Sequence, residues 1–284
     1  MDDLKKIVWL ASYPKSGNTW FRVFITALLH PEEPSVDINN MHPATIASSR
    51  QLFDELAGVP SADLTPSEIR NLRPFVYRRN ALESEEIIYQ KVHDVYALLP
   101  NGQTLFPADI TRAVMYFIRN PLDVAVSFSH HLSAPIDKTI SIMNNPDYAF
   151  CQRIDRLHNQ LQQNLFTWSG HIKSWVDDSG LPVMVIRYED MHKDPLKAFS
   201  GALAFIGLKK DQKEIETAVE QASFSNLKKQ EEEKGFSEKS PGSDSFFRKG
   251  IVGDWKNVLS KEQVKRIVDA HGDMMKRFGY DVDV

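Results

Sequence analysis

Two apolar runs, Ile7–Ser12 (IVWLAS) and Ala113–Ile118 (AVMYFI), have strand length but lack the alternation of a half-exposed strand, so both read as strands covered on two faces. Glu86–Val92 (EIIYQKV) and Val183–Ile186 (VMVI) read as further strands. Between them the periodicity turns helical. Trp20, Phe21, Phe24, Ala27 and Leu28 recur at the three-to-four spacing of one helical face. Thr65, Pro66 and Glu68 spell a capping box, and Asn120, Pro121 and Asp123 cap and start a helix running through Phe128. Pro195–Ile206 predicts a helix stopped by Gly207, and Val264, Ile267, Val268, Met275 and Phe278 form the stripe of a last helix from about Ser260 to Gly279. Strands alternating with helices predict a single α/β domain over residues 1–284, with a central parallel β-sheet flanked by helices on both faces. Ligands of such sheets bind beyond the carboxyl ends of the strands. From Lys228 to Gly250 the pattern dissolves into a charged run (KKQEEEK) and then SEKSPGSDS, which by composition reads as a flexible loop.

With 284 residues, 42% of them apolar, the chain is long enough for one large core. No apolar run approaches the roughly 18 residues that a membrane span needs, so membrane insertion is not expected. The start, MDDLKK, is acidic where a signal peptide is basic, and the expected location is cytoplasmic. The single cysteine, Cys151, excludes an internal disulfide and reads as an inert thiol. A net charge of −4 argues against nucleic acid as the partner. A small anionic ligand needs only a few local cations and stays open.

Three segments supply them. After the first strand, Tyr13-Pro14-Lys15-Ser16-Gly17-Asn18-Thr19-Trp20 bends at a glycine directly before a helix, where backbone N–H groups and the helix dipole favour an anion. This P-loop-like cradle is not the nucleoside triphosphate loop, because its lysine precedes its only glycine. A plain helix-capping turn would carry the same residues. Next, Arg119 leaves the second apolar run just where a helix begins, and Ser127 follows two turns later. Arg119 suits a phosphate, although a pairing with Asp123 would also explain it. Last, Phe247-Arg248-Lys249-Gly250 sets two cations beside a glycine, read either as a phosphate clamp or as a solvated basic patch.

Taken in order, YPKSGNTW, RNPLDVAVS, YEDM (from Tyr188) and RKGIVGDWK resemble the soluble sulfotransferases that use 3′-phosphoadenosine 5′-phosphosulfate (PAPS), over roughly nine-tenths of the chain. The resemblance implies that PAPS serves as sulfuryl donor and that the acceptor is a hydroxyl of a small molecule. It places Lys15, Ser16, Gly17, Asn18 and Thr19 at the 5′-phosphosulfate and Trp20 on the adenine. Arg119, Ser127, Arg248, Lys249 and Gly250 fall at the 3′-phosphate, with Tyr188 and Phe224 near the adenine ring. Lys91-Val92-His93 matches the family's K-x-H segment, which makes His93 the expected general base, since imidazole can take a hydroxyl proton at neutral pH. Lys15 is expected to stabilise charge on the leaving phosphate, and Lys91 to assist at the sulfuryl oxygens. Ala222 stands where many relatives have threonine, and Asn18 where animal relatives often have a hydroxyl residue, its amide being able to donate to phosphate in turn. No metal site is expected, His130 and His131 being adjacent and facing different sides of their helix. A kinase on a related scaffold and a non-catalytic nucleotide sensor are the competing readings. The absent GK[ST] speaks against the first, and the pairing of Lys15 with His93 against the second.

Overall fold

A computed structural model describes residues 4–153, 155–240 and 242–282. Its strands are β1 (Ile7–Ser12), β2 (Ala44–Ile46), β3 (Ile88–Val92), β4 (Thr111–Ile118), β5 (Ala149–Phe150), β6 (Gln163–Asn164) and β7 (Val183–Arg187). Its α-helices are α1 (Asn18–Leu29), α2 (Arg50–Ala57), α3 (Pro66–Glu83), α4 (Pro121–Leu132), α5 (Ile136–Met143), α6 (Trp168–Val176), α7 (Tyr188–Lys193), α8 (Pro195–Ile206), α9 (Gln212–Gln221), α10 (Phe224–Lys234), α11 (Trp255–Val258) and α12 (Lys261–Arg277). Five strands form one parallel sheet in the order β2-β3-β1-β4-β7, and β5 pairs with β6 in a small antiparallel ladder.

The apolar runs are explained by what covers them. Along β4, Ala113, Met115 and Phe117 face a core shared with Phe21 and Phe24 of α1 and with Phe199, Leu203 and Ile206 of α8. The intervening Val114, Tyr116 and Ile118 face the opposite core, with Phe128 of α4, Trp168 and Trp175 of α6 and Ile267 of α12. Both pleat faces are dry, so alternation disappears from the sequence. The expected caps form: Thr65 and Glu68 complete their box, Asn120 accepts from the Leu122 amide, and Ser260 closes a box with Gln263.

One boundary needs correction. Residues 228–234, read as the start of a loop, continue α10, with Leu227 and Glu231 buried and Lys228–Glu232 and Lys229–Glu233 one turn apart at 3.8 and 3.9 Å. Between Gly235 and Asp254 no regular element is found among the described residues, yet the Glu231 carboxylate holds this segment by accepting from the amides of Phe246 (2.6 Å) and Phe247 (2.8 Å).

Because β1, β3, β4 and β7 run parallel, their carboxyl ends open on one edge. There β1 continues into residues 13–17, β3 into His93, β4 into Arg119 and β7 into Tyr188. Chain order reverses at β1, where such sheets leave a crevice.

Candidate active site

A cavity of about 780 Å³ occupies that crevice. The chain enters it through a forced bend. Lys15 sits at φ 67° and Gly17 at φ 99°, both left-handed, which turns the backbone from β1 into the N-terminus of α1. A Cβ at Gly17 would come 2.8 Å from the Tyr188 ring, so only glycine lets loop and ring pack. Asn18 and Thr19, whose amides at the start of α1 have no intrahelical acceptor, line the cavity.

Arg119 joins the separate motifs. It is 9% exposed, donates to the carbonyls of Lys15 (3.3 Å) and Ile251 (2.9 Å), and lies 4.1 Å over the Tyr188 ring. Its Nε has no partner, nor have Ser16 Oγ and Trp20 Nε1, all three buried. Asp123 does not pair with it. That carboxylate accepts from the amides of Gly253 (2.7 Å) and Trp255 (3.1 Å) and so pins the glycine-bearing loop to the start of α4. Glu189 braces the same corner by accepting from the Asn120 amide at 3.0 Å and from the Tyr280 hydroxyl at 2.8 Å. Arg248 and Lys249 both reach Asp254, at 2.5 and 2.8 Å, and line the cavity alongside Ser127 and Gly250. Gly250 (φ 62°) lies under Phe224, where any Cβ would overlap the ring.

His93 closes the other end. Its Nδ1 donates to the Ser12 carbonyl at 2.8 Å, which fixes the tautomer and leaves Nε2 as a lone-pair acceptor. Its own carbonyl accepts from His171 Nε2 (3.1 Å), and Tyr116 donates to His171 Nδ1 (2.8 Å). Burial, then the charge on Lys91, holds the His93 imidazole well below its ordinary value, so it is neutral, with its Nε2 lone pair free, at physiological pH. Burial, then Lys91 and Arg119, pulls the Lys15 ammonium down to about 7. That ammonium lies 3.7 Å over the Phe246 ring.

Residues 5–279 match the sulfotransferase domain family. The chain belongs to that family. It is 26% identical to cytosolic sulfotransferase 17 of Arabidopsis thaliana, the alignment covering 96% of this chain and 75% of that one. Sulfotransferase 1A1 of Canis lupus familiaris is also 26% identical, with 95% and 83% covered. Among solved structures, mouse sulfotransferase SULT7A1 complexed with PAP matches with a TM-score of 0.58 at 20% identity, covering 96% of this chain and 85% of that one. Retinol dehydratase in complex with retinol and PAP matches at 0.61, also at 20% identity, with 99% and 83% covered. These likenesses carry the fold.

Within this sulfotransferase frame, every residue picked from the sequence for the site lines the one cavity: Lys15, Ser16, Gly17, Asn18, Thr19, Trp20, Lys91, His93, Arg119, Ser127, Tyr188, Phe224, Arg248, Lys249 and Gly250. Two side chains depart from expectation. The Asn18 amide nitrogen donates to the Leu10 carbonyl (2.6 Å) and Ser12 Oγ (3.3 Å), so it secures the end of β1 rather than reaching for phosphate. Lys91 is ion-paired with Glu238 at 2.6 Å. The Glu238 carboxylate also binds Arg22 at 2.5 Å; burial pushes it upward, but Arg22 and Lys91 outweigh burial and hold it far below the usual carboxylate range. Sequence reasoning missed Glu238 because a lone acid in a charged stretch carries no sign that it folds inward. It missed His131 too, an imidazole stacked on Phe128 at 6.2 Å and pulled down to about 3 by burial, then by Lys15 and Lys91. Phe246 lines the cavity, whereas Tyr77 packs against Trp9 and Phe106 and Phe75 is exposed. A further part of the wall comes from Phe150, Cys151, Arg156, His158, Asn159, Gln160 and Gln163, which carry no motif. Cys151 is partly exposed there, with its thiol pushed up by burial. Among the described residues no cluster suits a metal ion, and no helix is long and apolar enough to cross a membrane.

Proposed function

We propose that the cavity binds PAPS and that the protein transfers its sulfuryl group to a hydroxyl of a small-molecule acceptor in the cytoplasm, with His93 as general base. The observation that carries this reading is the fixed His93 tautomer. Nε2 is unprotonated and turned to the same cavity that holds Lys15, Arg119 and Arg248. Bound PAP in the mouse relative and the cytosolic plant relative support it.

The residues suit a doubly phosphorylated adenosine. Ser16 Oγ, Trp20 Nε1 and Arg119 Nε are buried without partners and offer hydrogen bonds to an anionic ligand. Lys15 and the α1 amides would hold the phosphosulfate, Trp20 and Phe224 the adenine, and Arg119, Ser127, Arg248, Lys249 and Gly250 the 3′-phosphate. The bound donor supplies an activated sulfuryl group. His93 Nε2 takes the acceptor's hydroxyl proton as the new S–O bond forms, and Lys15 offsets the charge growing where the old one breaks. Lys91, held by Glu238, sets the potential beside His93 and assists at the sulfuryl oxygens.

Incubation with ³⁵S-labelled PAPS and a panel of phenols, alcohols, sugars and lipids tests the reading. Label should move to at least one hydroxyl, and His93→Ala should lower kcat about 10²- to 10⁴-fold while changing PAP affinity by less than about twofold. Unchanged turnover in His93→Ala, or PAP binding with no product across the panel, would contradict it.

A further inference from the structure

Beside the large cavity lies a smaller one of about 370 Å³, and the two share Cys151 and Arg156 as walls. It is lined by five arginines, Arg50, Arg70, Arg73, Arg153 and Arg156, against one carboxylate, Asp94, in a chain of net charge −4. Two of the five are neutralised. Arg73 is buried against Asp94 at 2.7 Å, and Arg153 pairs with Asp155 at 2.5 Å on the surface. The other three are not. Arg50 donates to the His158 carbonyl (2.6 Å) and to Ser61 Oγ (2.7 Å), neutral groups that fix the guanidinium without offsetting its charge. Arg156 has only a 3.5 Å approach of Nε to His158 Nε2. Arg70, partly buried, makes no hydrogen bond or ion pair among the described residues, and burial acts against its charge more than the distant Asp94 carboxylate supports it. Arg50 and Arg70, half-buried, and Arg156, exposed, make no salt bridge with a carboxylate among the described residues, and guanidinium groups in that state can grip an oxyanion by paired N–H donors.

The position of this cluster says whose oxyanion it is. Asp94 follows His93 directly, so the small cavity begins one residue from the candidate base. On the large-cavity side the Phe150 ring lies 6.3 Å from the His93 ring and 6.5 Å from His131, an apolar strip, and Cys151 and Arg156 follow it at the shared wall. His93, Phe150 and Arg156 thus share the wall of the large cavity, and Arg50 and Arg70 line the adjoining small one. Resting on the sulfotransferase reading, we infer that the acceptor is an amphipathic anion, its hydroxyl at His93, its apolar body along Phe150, and a carboxylate or similar oxyanion bound by Arg156, Arg70 and Arg50. The donor's own phosphates have separate cations in Lys15, Arg119, Arg248 and Lys249.

Calorimetric titration of the full chain with ω-(4-hydroxyphenyl)alkanoates of two to eight methylenes, and with their primary amides, tests the inference. At the length that spans the strip, the carboxylate should bind at least about tenfold tighter than its amide. The double variant Arg70→Ala/Arg156→Ala should abolish that difference and leave amide binding unchanged. Equal affinities at every length, or a preference that survives in the double variant, would overturn the inference. A preference independent of length, and matched by alkanoates lacking the phenol, would assign the arginines to a free anion and overturn it equally. These titrations read binding alone. A failure of the ³⁵S transfer assay would sink the catalytic reading and leave their result standing.

Discussion

Lys15 carries a measurable consequence of its surroundings. With its pKa pulled down to about 7 in the ligand-free protein, about nine-tenths of these side chains are neutral at pH 8, and about one-tenth at pH 6. A polyanion placed against the amine restores the ammonium, because an opposite charge within a few ångströms favours the charged form. PAP binding at pH 8 should therefore take up as much as about 0.9 proton, and affinity should fall as pH rises above 7, by up to about tenfold per unit, until the raised pKa of the complex is reached. The ligand's phosphates lose their second protons near pH 6, so their titration is complete by pH 8 and does not mimic the effect. The assay is calorimetry of PAP binding at pH 8 in two amine buffers of different ionisation enthalpy, which converts proton uptake into a difference in observed heat. Lys15→Arg keeps the charge at all these pH values and should remove the difference. Heats independent of buffer, or the same uptake in Lys15→Arg, would refute the reasoning.

Other consequences follow from the same geometry. Arg119→Ala removes the link between the Lys15 and Ile251 carbonyls and an unpartnered buried Nε, and should raise the Kd for PAP about 10- to 100-fold by calorimetry. Gly250→Ala strains a left-handed residue by about 1–2 kcal/mol and drives a methyl group into Phe224. Its Tm should fall, with part of the loss recovered in Gly250→Ala/Phe224→Ala. Glu238→Gln strips the counter-charge from two buried cations, Arg22 and Lys91, and should cost at least about 1 kcal/mol in denaturant unfolding and speed amide exchange across residues 236–247.

Four of the five sheet strands were legible because burial writes apolar runs, and the expected bounds of β1 and α8 match residue for residue, whereas the three-residue edge strand β2 writes no such run. The segments that line the cavity with cations and backbone donors were legible as well, since each concentrates its chemistry within a few consecutive residues. Helix α10 was not. Beyond Phe224 and Leu227 it offers no apolar side chain, and its other buried residue is the acid Glu231, so it writes no apolar stripe. Glu238 is invisible for a related reason: its partners Arg22 and Lys91 stand 216 and 147 positions away, and only folding brings them together. The cavity wall at Phe150, Cys151, Arg156, His158, Asn159, Gln160 and Gln163 likewise arises from packing around the small β5–β6 ladder.

The account rests on one pocket whose far end is His93, and a crystal structure of the protein grown with PAP tests that most directly. The adenine should lie against Trp20 and Phe224, the 3′-phosphate should contact Arg119 and Arg248, and the 5′-phosphate should contact Lys15, with His93 Nε2 open beyond it. PAP lodged elsewhere, or bound in the reverse sense with its 3′-phosphate at Lys15, would contradict the account.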